Sequence, residues 1–118
     1  MPISFAAISG TSPMPGNVKY SPEFRNDLDR IWEYLALDRE DLSAAEDIVD
    51  GLITVTEHLA EWPGRGTKLF LPDGSYSGYR AIGYKGYLAV YLLREVDVLV
   101  ARAVHTHQDY MRILFHSL

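Results

Sequence analysis

A chain of 118 residues with a net charge of −5 and no cysteine is sized for one compact core, and it has no means of forming disulfides, thiolate zinc sites or a cysteine nucleophile. Hydrophobic residues make up 47% and charged residues 23%, which fits a globular protein rather than a disordered one. No run approaches the roughly 20 apolar residues that cross a bilayer and no signal segment is recognisable, so the cytoplasm is the expected location, without a membrane partner.

The charge is divided along the chain. Glu23 to Glu61 holds 12 acidic and 3 basic residues, whereas Pro63 to the end holds 7 basic and 4 acidic. A surface that meets nucleic acid is therefore confined to the second half, where the positive excess is small, and the acidic residues read as the solvated faces of helices.

Residues 1–16 mix Pro, Gly and small residues without a period, and are expected to be a leader or disordered segment. Met14 is a candidate physiological start. Residues 17–118 are expected to form a single domain, in which Asn17 to Tyr20 is either a first edge strand or the lead-in to a helix. Ser21-Pro22-Glu23 predicts a helix start: a capping serine, a proline whose missing N–H costs nothing there, and an acid at the positive end of the dipole. Phe24, Leu28, Ile31 and Leu35, widened by Trp32, give that helix one apolar stripe.

Asp38 to Leu42 reads as a polar turn. Ser43 and Glu46 have capping-box spacing for a second helix, whose stripe of Ile48, Leu52, Val55, Leu59 and Trp62 runs until Pro63-Gly64 stops it. Beyond Gly66 the period changes. Lys68 to Leu71, Gly78 to Tyr84, Gly86 to Leu93 and Val96 to Val104 read as strands separated by turn residues. In the last of these Val98, Val100, Arg102 and Val104 are expected on one side and Leu99, Ala101, Ala103 and His105 on the other, so both faces are partly apolar and the strand is interior. Thr106 to Asp109 has helix-capping spacing, and Tyr110, Ile113 and Leu114 share one side of a short terminal helix. The fold class is α+β: an antiparallel helical hairpin packed on a mostly antiparallel sheet of three to five strands, with a short C-terminal helix.

The opening Tyr20-Ser21-Pro22-Glu23-Phe24 with Asp27-Leu28, Ile31 and Tyr34 is followed by Leu59, Pro63 and Gly66, then Arg80, Tyr87 to Tyr91 and the His105-to-Asp109 block. In that order these residues resemble the RelE/ParE family of bacterial toxins, with the ParE-like branch favoured by the opening. The resemblance implies a cytoplasmic, growth-inhibiting toxin of a type II toxin–antitoxin pair, of the kind linked to plasmid stabilisation, held as a toxin–antitoxin hetero-oligomer or a homodimer. ParE-like members inhibit DNA gyrase by protein contact, whereas RelE-like members cut mRNA on the ribosome; a third possibility is a non-toxic relative that only binds an antitoxin. No cofactor is implied.

Metal-independent RNA cleavage needs a base, positive charge at the phosphate and an acid for the leaving oxygen. The resemblance to RelE-like nucleases points to Arg80, His105, His107 and Tyr110 as the candidates, with Lys68 as a partial substitute for the lysine pair that those enzymes carry on the preceding strand. Each has a structural reading beside it: a histidine that caps the strand end, an arginine that holds the sheet edge, a tyrosine in the core. If the target is a protein, Arg80, Lys68 and Arg102 are the candidate contact residues. His105 and His107 with Asp109 are too few to build a zinc site, so no metal is expected. Where the resemblance to RelE-like enzymes implies a second arginine after the last strand, this sequence reads His105-Thr106-His107-Gln108; that absence and the weak positive field favour protein binding over nuclease action.

Overall fold

A computed structural model of the protein describes residues 17–106. The leader, the terminal helix expected after Thr106, and His107 and Tyr110 all lie outside the described residues. The chain runs β1 (Asn17–Tyr20), α1 (Pro22–Glu33), a π-helical turn (Tyr34–Asp38), α2 (Leu42–Glu57), 3-10 turns at His58–Ala60 and Pro63–Arg65, then β2 (Thr67–Phe70), β3 (Tyr76–Tyr84), β4 (Tyr87–Leu93) and β5 (Asp97–His105). The five strands form one sheet in the order β1-β5-β4-β3-β2. From β2 to β5 each strand is antiparallel to the next, and β1 lies parallel to β5 at the edge. Of the two readings of residues 17–20 the first edge strand is the one that holds, and β5 is interior as expected.

Local chemistry explains the connections. Lys85 and Gly86 both hold positive φ, at 45° and 86°, the two-residue turn whose twist suits the β3–β4 hairpin. Between β4 and β5 the Arg94 guanidinium donates to both oxygens of Asp97, at 2.6 and 2.9 Å. That pairing holds the Asp97 carboxyl below its ordinary range. The pair's stability contribution is therefore present above the ordinary aspartate pKa, near pH 4, and is lost as pH falls through the depressed value. Thermal melting from neutral pH downwards should show a steeper acid loss for the native protein than for Asp97→Asn.

Two cores sit on opposite faces of the sheet. Side chains alternate, so Ile82, Ala89, Tyr91, Val98 and Val100 join Phe24, Leu28, Ile48, Leu52 and Leu59 on the helix-covered face, while Leu69, Ala81, Val90 and Val104 cluster on the other. The first helix packs on β5, and α2 on β3 and β4.

Three sequence expectations are corrected. The second helix begins at Leu42, capped by Asp41, whose carboxylate accepts from the Ala44 N–H at 3.0 Å; Asp41 is followed by the helix before Ser43 is reached, so the Ser43–Glu46 spacing lies inside the first turn. Trp62 is 66% exposed, because α2 ends at Glu57 and the tighter 3-10 turn rotates the chain out of the helical phase. The strict alternation along β5 breaks at Ala101. Tyr91 opposes Val100 and Val90 opposes Arg102, leaving Ala101 as a bulge. Beyond it Ala103, not Val104, faces the helices.

Candidate functional site

β1 ends at Tyr20, opposite Val100, which would leave the rest of β5 as an open edge. The start of α1 covers it. Ser21 donates its N–H to the Val100 carbonyl (3.0 Å) and its hydroxyl to the Ala101 carbonyl (2.7 Å), while Oγ also accepts from the Phe24 N–H (2.9 Å) as the helix cap. One turn later the buried Asp27 takes the Ala103 N–H at 2.9 Å. Its two oxygens also accept from Arg102 Nε (2.7 Å) and Nη2 (3.1 Å) and from Arg30 Nη2 (2.7 Å). Asp27 raises the proton affinity of the Arg102 guanidinium further.

The result is a groove of about 620 Å³ between α1 and β5, with Arg30, Arg39 and Arg102 on its walls beside Tyr34, Tyr87 and His105. Three guanidinium groups face one carboxylate. Arg39 lies near Tyr34, Nη1 to Oη 3.5 Å, and the Tyr87 ring meets the His105 imidazole edge-on at 4.9 Å between centroids. Burial pushes the Tyr87 phenol above its ordinary pKa, with Tyr34 adding to the rise and Arg39 opposing it. Such a groove can hold an anionic group, a carboxylate or a phosphate, through charge-assisted hydrogen bonds.

Of the residues singled out in the sequence, Arg102 and His105 meet in this groove. Arg80 and Lys68 do not. Arg80 shares the helix-covered face with its cross-strand neighbour Tyr91, and its Nη1 donates to the carbonyls of Gly64 (3.1 Å) and Gly66 (3.0 Å). Lys68 lies opposite Arg80, with its Nζ 5.1 Å from the centre of the Tyr76 ring. Arg80 stands two strands and four rows of the sheet from His105, roughly 16 Å at ordinary strand spacings. Among the described residues no group of three His, Cys, Asp or Glu is placed to hold a metal.

Two hydrogen bonds from a charged group to the loop make Arg80 a clamp on residues 64–66. Arg80→Ala should lose about 1–2 kcal/mol in urea denaturation, more than the roughly 0.5 kcal/mol of an ordinary surface change. A melting profile matching the native one would remove the clamp role.

Asp27, Arg30 and Arg39 were not identified from the sequence as site residues. A signal for Asp27 existed: it lies between Phe24 and Leu28 on the apolar stripe, where an acid needs partners.

The sequence matches the family profile described as the ParE toxin of type II toxin–antitoxin system, parDE, over residues 18–110. No curated protein matches the chain. Among solved structures it is similar to one described as the chromosomal ParDE TA system from P. aeruginosa, with a TM-score of 0.57 and 21% identity, covering 81% of this chain and 100% of that one. It is also similar to a chain of the E. coli DinJ-YafQ toxin-antitoxin complex, with a TM-score of 0.51 and 18% identity, covering 86% and 99%. At those identities the structures speak for the shared fold, and the profile over most of the domain speaks for descent: the chain belongs to the ParE toxin family of type II toxin–antitoxin systems.

Proposed function

We propose that this protein is a cytoplasmic ParE-like toxin that arrests growth by binding a protein target such as DNA gyrase, and that a cognate antitoxin neutralises it. The observation that carries the reading is the dispersal of the candidate nuclease groups. Arg80 is engaged by the carbonyls of Gly64 and Gly66 and His105 stands far from it, whereas cleavage chemistry needs acid, base and cation to converge within hydrogen-bond reach of one phosphodiester. The antitoxin is supported by the family and by a structural relative described as a toxin-antitoxin complex. In this reading α1 and α2 form an antiparallel hairpin over the sheet.

A second reading has its own support. The arginine groove gathers three cations with His105 and Tyr87, a set that would suit an RNA phosphate in a RelE-like, ribosome-dependent endonuclease. Induction in cells, followed by assays of DNA supercoiling and mapping of mRNA ends on ribosomes, separates the two. Loss of supercoiling activity with intact messages is the expected result. Ribosome-dependent cuts that disappear in the His105→Ala, Arg102→Lys double variant would overturn the gyrase reading.

A further inference from the structure

Between Glu23 and Glu61 the basic residues are Arg25, Arg30 and Arg39, and the last two line the groove between α1 and β5. The acidic half of the chain spends its few cations there. Asp27 is the single acid among the described lining residues, so with Arg102 the groove keeps an excess of two positive charges. Nor does Asp27 exhaust the donors around it. Arg102 gives it Nε and Nη2 and Arg30 gives it Nη2, while Nη1 of both makes no hydrogen bond among the described residues. Arg39 stands in a run of acids, Asp38, Glu40 and Asp41, yet forms an ion pair with none of them. The π-helical turn instead closes from the Arg39 N–H to the Tyr34 carbonyl at 2.9 Å, which brings the guanidinium beside the Tyr34 hydroxyl. Tyr34 is 45% exposed. An aromatic ring therefore stands open to solvent next to a guanidinium without a counter-charge.

We propose that this groove binds a free nucleoside monophosphate, with the phosphate on Arg30, Arg39 and Arg102 and the base against the Tyr34 ring. Charge selects the phosphate. A phosphomonoester carries about −1.5 to −2 at neutral pH, which matches the excess, whereas a carboxylate or a phosphodiester brings a single negative charge. Guanidinium groups also present planar forks of donors that suit phosphate oxygens. Size selects the rest of the ligand. The groove, about 620 Å³, falls within the roughly 300–1,000 Å³ of small-molecule sites and is larger than a bare phosphate fills, and an exposed aromatic face is a platform on which any base can stack. A strand of nucleic acid would bring its further phosphates against the acidic faces of α1 and α2, which repel them. The inference goes beyond the toxin reading and stands whichever target that reading has.

The test is calorimetric titration of the full chain with AMP, with ribose 5-phosphate, and with the dinucleotide ApA with and without a terminal phosphate. AMP should bind roughly tenfold more tightly than plain ApA, which lacks the dianion, and roughly fivefold more tightly than ribose 5-phosphate, which lacks the base. The phosphorylated dinucleotide should bind no better than AMP. Arg39→Gln should weaken AMP binding roughly threefold to tenfold, the modest effect of an exposed charge, and leave the melting temperature unchanged because Arg39 lies outside the Asp27 network. Tyr34→Leu should erase the preference for AMP over ribose 5-phosphate, and Tyr34→Phe should keep it. No AMP binding by the native protein would overturn the site, as would equal binding of AMP and ribose 5-phosphate. Tighter binding of either dinucleotide would give the groove to a nucleic-acid strand instead. Unchanged AMP affinity in Arg39→Gln would show that the phosphate sits elsewhere.

Discussion

Asp27→Ala is expected to cost about 3–5 kcal/mol, the range for removing one partner of a buried ion pair, out of a total stability of about 5–15 kcal/mol for a domain. The carboxylate is 4% exposed and accepts from three different residues. Its loss leaves the Arg102 guanidinium, 27% exposed, without its counter-charge and the Ala103 N–H without an acceptor. Arg30 contributes little to this cost because it is 65% exposed and water replaces its partner. Urea denaturation of Asp27→Ala, Arg102→Leu and the Asp27→Leu, Arg102→Leu pair measures the coupling. The double variant should be more stable than Asp27→Ala, since an apolar pair avoids desolvating either charge. A loss below about 1 kcal/mol for Asp27→Ala would show that water replaces the network.

Gly66→Ala is expected to cost about 2–4 kcal/mol, combining overpacking with disruption of a hydrogen-bonded pair. The backbone at Gly66 is extended, with φ −72°, so the reason is space rather than conformational freedom. An added Cβ would lie 2.5 Å from the Tyr91 hydroxyl and 2.8 Å from the Ala81 carbonyl oxygen. That hydroxyl accepts from the Gly66 N–H and donates to the Pro63 carbonyl, both at 2.8 Å, and Tyr91 is fully buried. Gly64→Ala is the control, since nothing lies within 4 Å of its added Cβ. Calorimetry should show a large drop in Tm for Gly66→Ala and almost none for Gly64→Ala. Equal effects would mean that the loop moves freely and that Tyr91 does not lock it.

What the sequence revealed follows the range of the forces involved. Ser21-Pro22-Glu23 was readable because a cap acts within one turn, and Ser21 does accept from Phe24. The four later strands were readable from their turns, which are equally local. The cap of α2 was misplaced because two acceptors, Asp41 and Ser43, stand within reach of the same first turn, and sequence spacing does not choose between them. The bulge at Ala101 is a property of two strands at once, so no pattern within β5 announces it. The arginine groove was least legible. Asp27 and Arg102 are 75 residues apart, and Arg39 reaches the groove only after the π-helical turn has redirected the chain.

The parallel pairing of β1 with β5 has a consequence for how the chain reaches this state. Ser21 and Ala101 are 80 residues apart, and closing a loop of that length costs roughly 4 kcal/mol of chain entropy. The β2-to-β5 meander closes only short loops, so it is placed to form early, while attachment of β1 waits on the rest. During synthesis β5 leaves the ribosome after all the other strands of the sheet. A nascent chain therefore carries β1 and the start of α1 unpaired until β5 has emerged, and the β5 edge that Ser21 and Asp27 later cover is briefly available to any segment able to pair with a strand.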